Sequence, residues 1–245
     1  MLAQDYFDVC LRVLERIRDE QMDKVQEAAR IIAEAIAGGN SFFAFGCTHS
    51  SLPIQEVFYR AGGFMLINPI FAPGLTLDVR PPTMTSRLER LDGYGRLIFE
   101  NVPAREGDVL LLISVSGRNA VPLEVALEAK RRGMKLVVIT ALEYTQNVES
   151  RHASGKKVYE LADLVLDNYS PRGDAVLELE GLPQKTGSTS GVAASCMMHA
   201  IVSQVVENLM AEGITPPVYM SGNLDGGAEY NERMLAKYKD RIFYT

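Results

Sequence analysis

The chain has 245 residues, enough for one sizeable α/β domain with additions. Apolar residues make up 47% and charged residues 23%, which excludes disordered and collagen-like classes. The formal net charge of −6 argues against a nucleic-acid scaffold, which would carry a basic face. The one basic run, Lys130–Arg131–Arg132, reads as the solvated end of a helix near its negative pole. Cys10, Cys47 and Cys196 form an odd, sparse set without zinc-ribbon spacing, as expected of reduced thiols. The first residues include Asp5 and Asp8 instead of a basic-then-apolar signal, and no apolar run reaches a membrane span. A cytoplasmic protein with no membrane and no nucleic-acid partner is expected.

In chain order, Phe7, Leu11 and Leu14, then Val25, Ala29, Ile32 and Ile36, repeat at helical spacing and predict a helix over residues 2–37, stopped by Gly38–Gly39–Asn40. Such a helix packs either on a partner subunit or back on its own domain. Apolar runs at Ser41–Phe45, Phe64–Ile70, Val109–Ile113, Leu136–Thr140 and Leu164–Asp167 read as strands covered on both faces. Helices are expected at Leu52–Ala61, Leu88–Glu100, Pro122–Arg132 and Lys156–Ala162, and a long loop at 71–86. A short strand at Val176–Glu180, a helix at Gly191–Met210 and a polar helix at 229–240 complete the chain. Alternating strands and helices imply an α/β fold with a parallel sheet and right-handed crossovers. The division expected is one domain over 1–245: an N-terminal helical segment at 1–38 as candidate oligomerisation element, a core at 41–212, and a tail and helix at 213–245.

Three loops carry hydroxyl-rich sequences. Ser114-Val-Ser-Gly-Arg-Asn119 follows an apolar strand and opens a helix. Ligands of parallel sheets bind beyond the carboxyl ends of strands, where helix N-termini offer free N–H groups. Ser114 and Ser116 add hydroxyls, and Gly117 lets the backbone curl its amides inward. The alternative is ordinary helix capping and turn chemistry. Gly46-Cys-Thr-His-Ser-Ser51 repeats the arrangement with Thr48, Ser50 and Ser51, and His49 is placed to protonate a sugar oxygen, to ligate a metal, or only to bond locally. Lys185-Thr-Gly-Ser-Thr-Ser-Gly191 supplies Ser188, Thr189 and Ser190, either as donors or as an N-cap region. Glu56, one turn into its helix, is either a base for proton shuttling or an i,i+4 partner of Arg60. His199 sits among Met197, Met198 and Ile201, as a core or interface histidine would. Asp167, Asp174, Asn223 and Asp225 suit turns first and sugar hydroxyls second.

Ile113-Ser-Val-Ser-Gly-Arg-Asn119, followed by an apolar helix, Gly133 and the strand Leu136–Thr140, resembles the core motif of sugar isomerase (SIS) domain proteins. Gly46–Ser51 is similar to that superfamily's first Ser/Thr loop, and the stretch from His49 to Gly63 resembles phosphoheptose-isomerase-like members. Gly173–Asp174–Ala175 and Asn223-Leu-Asp-Gly-Gly fit an uncharacterised branch of that group. The resemblance implies a three-layer α/β/α sandwich with a five-stranded parallel sheet, assembled as a dimer or tetramer with sites near subunit interfaces. It implies phosphate binding by Ser114, Ser116, Gly117 and Arg118, with Asn119 standing where phosphoheptose isomerases have another serine. Thr48 with Ser50 or Ser51 would complete the cradle, with further donors from Ser188, Thr189 and Ser190. Glu56 matches the family's catalytic glutamate. The catalytic histidine of phosphoheptose isomerases lies on the late helix, where His199 is near and Ser195 is the other match.

The activity expected is therefore aldose–ketose isomerisation of a phosphorylated sugar by a glutamate base, with Glu56, His49 and His199 as candidate catalytic residues and no cofactor or metal. Two alternatives stand beside it: a non-catalytic phosphosugar-binding regulatory protein, and an amino-sugar-phosphate lyase or etherase.

Overall fold

The computed structural model describes residues 1–244, so the last position of the expected 213–245 tail lies outside it. Helix α1, Leu2–Ala37, is followed by β1 (Phe42–Gly46), α2 (Leu52–Val57), β2 (Ile67–Pro69), α3 (Thr83–Leu88) and α4 (Tyr94–Glu100). Then come β3 (Val109–Ile113), α5 (Ala120–Arg131), β4 (Lys135–Thr140), α6 (Leu142–Gln146) and β5 (Leu164–Asp167). A hairpin of β6 (Ala175–Leu177) and β7 (Thr186–Ser188) leads into α7 (Ser190–Ala211) and α8 (Gly227–Lys237).

Five strands form one parallel sheet in the order β2-β1-β3-β4-β5. Alternate side chains of the same strands enter two separate cores, because successive residues of a strand point to opposite faces. Phe42, Ala44, Leu111 and Val137 face Ile32, Met198 and Ile201 of α1 and α7. Phe43, Phe45, Leu110 and Val138 face Phe99, Val121 and Val125 of α4 and α5. This is the expected three-layer sandwich, and the double coverage is why the strands read as unbroken apolar runs.

Several expected elements are shorter than predicted, each for a local reason. The Leu52–Ala61 helix ends at Val57, because Phe58 turns extended to set its ring against Phe71 and Tyr244, 5.8 and 4.8 Å away. Of the expected Leu88–Glu100 helix only α4 forms, starting after Gly93, whose φ of +84° no helix accommodates, while α3 starts inside the expected 71–86 loop. Only Ile67–Pro69 of the Phe64–Ile70 run pairs in the sheet, and Phe64 forms an isolated antiparallel bridge with Val218. The expected helix at 156–162 is a single 3₁₀ turn, Val158–Leu161. Strand β7 has no counterpart in the sequence reading; its hydroxyl-rich composition resembles a cap region, and only pairing with β6 makes it a strand.

Candidate active site

In this strand order the chain reverses its direction of winding between β1 and β3, the place where loops splay apart to leave a crevice. Both predicted hydroxyl loops open there. The β3 ladder ends with Ser114 N–H donating to Ile139 O at 3.1 Å. Beyond it, among the described residues, none of the five backbone N–H groups from Val115 to Asn119 donates within the molecule. The loop is held instead by its carbonyls: Val115 O accepts from Ala141 N–H at 3.2 Å, and Gly117 O accepts from Val158 N–H at 3.0 Å. Gly117 has φ +58°, and a Cβ there would lie 2.8 Å from Thr145 Oγ1. The amides open onto the N-terminus of α5, whose dipole favours an anion. Capping does not explain the loop, since no side chain caps α5. Asn119 Oδ1 instead accepts from Arg151 Nη1 at 2.9 Å. Ser114 is buried and Ser116 half-buried.

The β1 loop is more internally committed. Gly46 passes so close to the next turn that a Cβ would fall 2.3 Å from Ser50 O. Thr48 holds a left-handed φ of +53°, a strained conformation of the kind that collects at functional sites, fixed by its N–H donating to Leu75 O at 2.7 Å. Ser51 is buried; its hydroxyl donates to Thr48 O at 2.7 Å and accepts from Gln55 Nε2 at 3.1 Å. Ser50 is half-buried and His49 exposed. Burial, and then the nearby Glu89 charge, push the Cys47 thiol well up, which keeps it protonated and packed.

Glu56 and His199 come from helices far apart in sequence and meet. His199 Nε2 lies 3.7 Å from Glu56 Oε1. Glu56 is 48% exposed and also paired with Arg60, so the surface ion pair and the carboxylate–histidine pair coexist.

The model of the SIS domain matches residues 5–141, more than half of the chain. The chain belongs to the SIS domain family. A UPF0309 protein of Shouchella clausii is 44% identical over 242 residues, covering 99% of this chain and 98% of the relative. One from Oceanobacillus iheyensis is 43% identical, covering 98% of each. Among solved structures, phosphoheptose isomerase GmhA from Neisseria gonorrhoeae superposes with a TM-score of 0.60 at 15% identity, over 84% of this chain and 97% of that one. The Vibrio vulnificus NanR protein complexed with ManNAc-6P superposes with a TM-score of 0.51 at 12% identity, over all of this chain and 71% of its own.

Further along the chain, the third hydroxyl cluster is occupied from within. Asp174 Oδ1 accepts from Thr189 N–H at 3.1 Å and Ser190 N–H at 2.8 Å, and its Oδ2 accepts from Ser190 Oγ at 2.6 Å. The Asp174 carboxylate thus sits where an anion would sit at the start of α7, while Ser188 is exposed on the hairpin. Asp167 likewise serves its turn, accepting from Leu142 and Tyr169 N–H, both at 3.0 Å. Among the described residues, one trio with metal-ligating atoms within 4.8 Å is Asp92, Glu124 and His152. Two of its groups are engaged: Glu124 accepts from Gly93 and Gly95 N–H, at 2.5 and 2.7 Å, and His152 Nδ1 accepts from Ser154 N–H at 3.2 Å.

Two residues at the crevice were not singled out in the sequence. Glu89 is half-buried; burial raises its carboxyl pKa against the opposing pull of the Asn119 side chain and the Arg90 and Arg151 charges. Arg151 reaches the β3 loop from the segment after α6. Neither lies in a motif. The only available signal for Glu89 was the Asp92–Gly93 pair, which marks a turn inside an apparent helix.

Proposed function

We propose that this SIS domain binds a phosphorylated sugar in the β1–β3 crevice and interconverts its aldose and ketose forms. The observation that carries the reading is the run of unpaired N–H groups from Val115 to Asn119, beside Ser114 and Ser116, at the start of α5. Five successive donors left without an intramolecular acceptor in a half-buried to buried loop are available to an external one, and a phosphate supplies several oxygens at once. The names of the fold neighbours agree: one is a phosphoheptose isomerase, and the other is a complex with ManNAc-6P.

In this reading the Glu56 carboxylate takes the proton from the carbon next to the carbonyl. His199 gives a proton to the carbonyl oxygen, forming an enediol. Glu56 then returns its proton to the former carbonyl carbon, while His199 takes the proton from the adjacent hydroxyl, which becomes the new carbonyl. Thr48 and Ser50 hold sugar or phosphate oxygens. Exposed Phe7 and Leu11 on α1 support a homo-oligomer. The test is solvent deuterium incorporation at the sugar carbon, screened over phosphorylated hexoses, heptoses and amino sugars. Glu56→Gln is expected to keep ligand affinity and lower exchange by about 10²–10⁴-fold, the usual contribution of a general base. Unchanged exchange in that variant overturns Glu56 as the base. Product mass separates isomerisation, which conserves it, from lyase or etherase chemistry.

One observation favours a second reading, a phosphosugar-responsive regulatory protein without turnover: Glu56 is half exposed and held by Arg60, so a surface ion pair competes for its carboxylate. Ligand-induced thermal stabilisation with no exchange by the wild-type chain would select it.

A further inference from the structure

The β3 loop gathers more positive charge than one phosphate uses. Arg118 lies within the loop, and its Nε is buried without a hydrogen-bond partner among the described residues. Arg151 donates Nη1 to Asn119 Oδ1 and its backbone N–H to Arg118 O, both at 2.9 Å, which fixes the two residues side by side. Arg90 adjoins Glu89, whose carbonyl accepts from Val121 N–H at 3.1 Å on the first turn of α5. After burial, the charges of Arg118 and Arg90 are what pull the Arg151 pKa down, so both lie within electrostatic reach of Arg151. Glu89 is the acidic group beside them, and it leaves a surplus of positive charge.

That local surplus lies in a chain of net charge −6. Elsewhere Arg16, Arg18, Arg30, Arg60 and Arg131 each hold a carboxylate within hydrogen-bond reach, and Arg132 and Arg241 are held by backbone carbonyls. Among the described residues, Arg90, Arg118 and Arg151 have no carboxylate oxygen within 4.0 Å. Gathering like charges at a half-buried loop costs free energy that a bound anion offsets. A guanidinium presents a planar fork of donors that fits a carboxylate or phosphate by two parallel hydrogen bonds. The unpaired amides of the β3 loop already account for one phosphate.

We propose that Arg90, Arg118 and Arg151 form a second anion subsite beside the β3 loop, so that the phosphorylated sugar bound here carries a second anionic group, a carboxylate or another phosphate. This deepens the phosphosugar reading and rests on it. It narrows the substrate class from sugar phosphates in general to phosphorylated sugar acids or sugar bisphosphates.

The test is calorimetric titration of the full chain at fixed ionic strength with four probes: inorganic phosphate, glucose 6-phosphate, 6-phosphogluconate and fructose 1,6-bisphosphate. The wild-type chain is expected to bind at least one of the two doubly anionic probes about tenfold or more tightly than glucose 6-phosphate, the factor that ~1.4 kcal/mol represents. Preference for 6-phosphogluconate assigns the second group as a carboxylate, and preference for the bisphosphate assigns it as a phosphate. Arg151→Met and Arg90→Met are each expected to remove most of that preference while inorganic phosphate affinity changes by less than about threefold. The Arg90 side chain is exposed and makes no hydrogen bond among the described residues, so Arg90→Met carries the test if Arg151→Met does not fold. Equal affinity for singly and doubly anionic probes overturns the second subsite and leaves the phosphosugar reading intact. So does an equal loss for all four probes in both variants. Failure of wild-type chain to bind any of the four overturns the phosphosugar reading itself, and the subsite with it.

Discussion

Replacing Gly117 by alanine probes the candidate phosphate loop at its tightest point. The residue has φ +58°, a left-handed conformation that costs an L-amino acid about 1–2 kcal/mol. The added Cβ would stand 2.8 Å from Thr145 Oγ1, closer than such atoms are found, while the Val158 N at 3.7 Å is in ordinary contact. Thr145 is fully buried on α6, so relief requires an off-rotamer threonine or a shifted loop, about 0.5–1.5 kcal/mol more. The sum, roughly 1.5–3.5 kcal/mol, corresponds to a fall in Tm of about 3–14 °C for a chain of this size. Calorimetric melting of Gly117→Ala, Thr145→Ala and the double variant separates the two costs. Thr145 Oγ1 has no hydrogen-bond partner, so its removal forfeits no polar contact. The double variant is expected to recover the steric part and keep the backbone part. Phosphate affinity is expected to fall at least tenfold in Gly117→Ala, because the loop amides lose their common direction. A Gly117→Ala variant that melts and binds phosphate as the wild type does would refute the account of this loop.

Two further outcomes are expected. Burial raises the Glu89 carboxyl above its unfolded value, although Asn119, Arg90 and Arg151 oppose the rise. Its contribution to stability is therefore complete below the unfolded pKa of about 4.3 and is lost as pH rises through the higher folded value. Glu89→Gln is expected to raise Tm at pH 7 to 8 and to make no difference near pH 3, as melting across that range will show. A destabilised variant at neutral pH would contradict it. Asp174→Ala removes three hydrogen bonds and a negative charge from the N-terminus of α7, so it is expected to destabilise the fold by about 1–3 kcal/mol in urea. Asp174→Asn should retain part of that stability, because the amide oxygen still accepts.

The long first helix, the sheet strands and the strand–loop–helix at Ile113–Asn119 were legible because each carries a period or a doubly buried apolar run that local chemistry enforces. The short elements were less so. Phe58 leaves its helix for an aromatic cluster contributed by residues far along the chain, and β7 exists only opposite β6. Helical spacing across 88–100 concealed the break at Gly93, and with it Glu89.

The candidate site divides in the same way. Composition and spacing by themselves placed hydroxyl-rich loops after β1 and β3, since a parallel sheet sends every strand's carboxyl end to one edge. The family resemblance, not spacing, singled out Glu56 as a base with His49 or His199 to assist it. Tertiary structure alone decided that Glu56 and His199 meet, that Asp174 fills the start of α7, and that the β3 amides stay unpaired beside three arginines. The physical reason is range. Turn and strand preferences act over a few residues, whereas the distance between two charges and the fate of a backbone N–H depend on which distant segments pack against them.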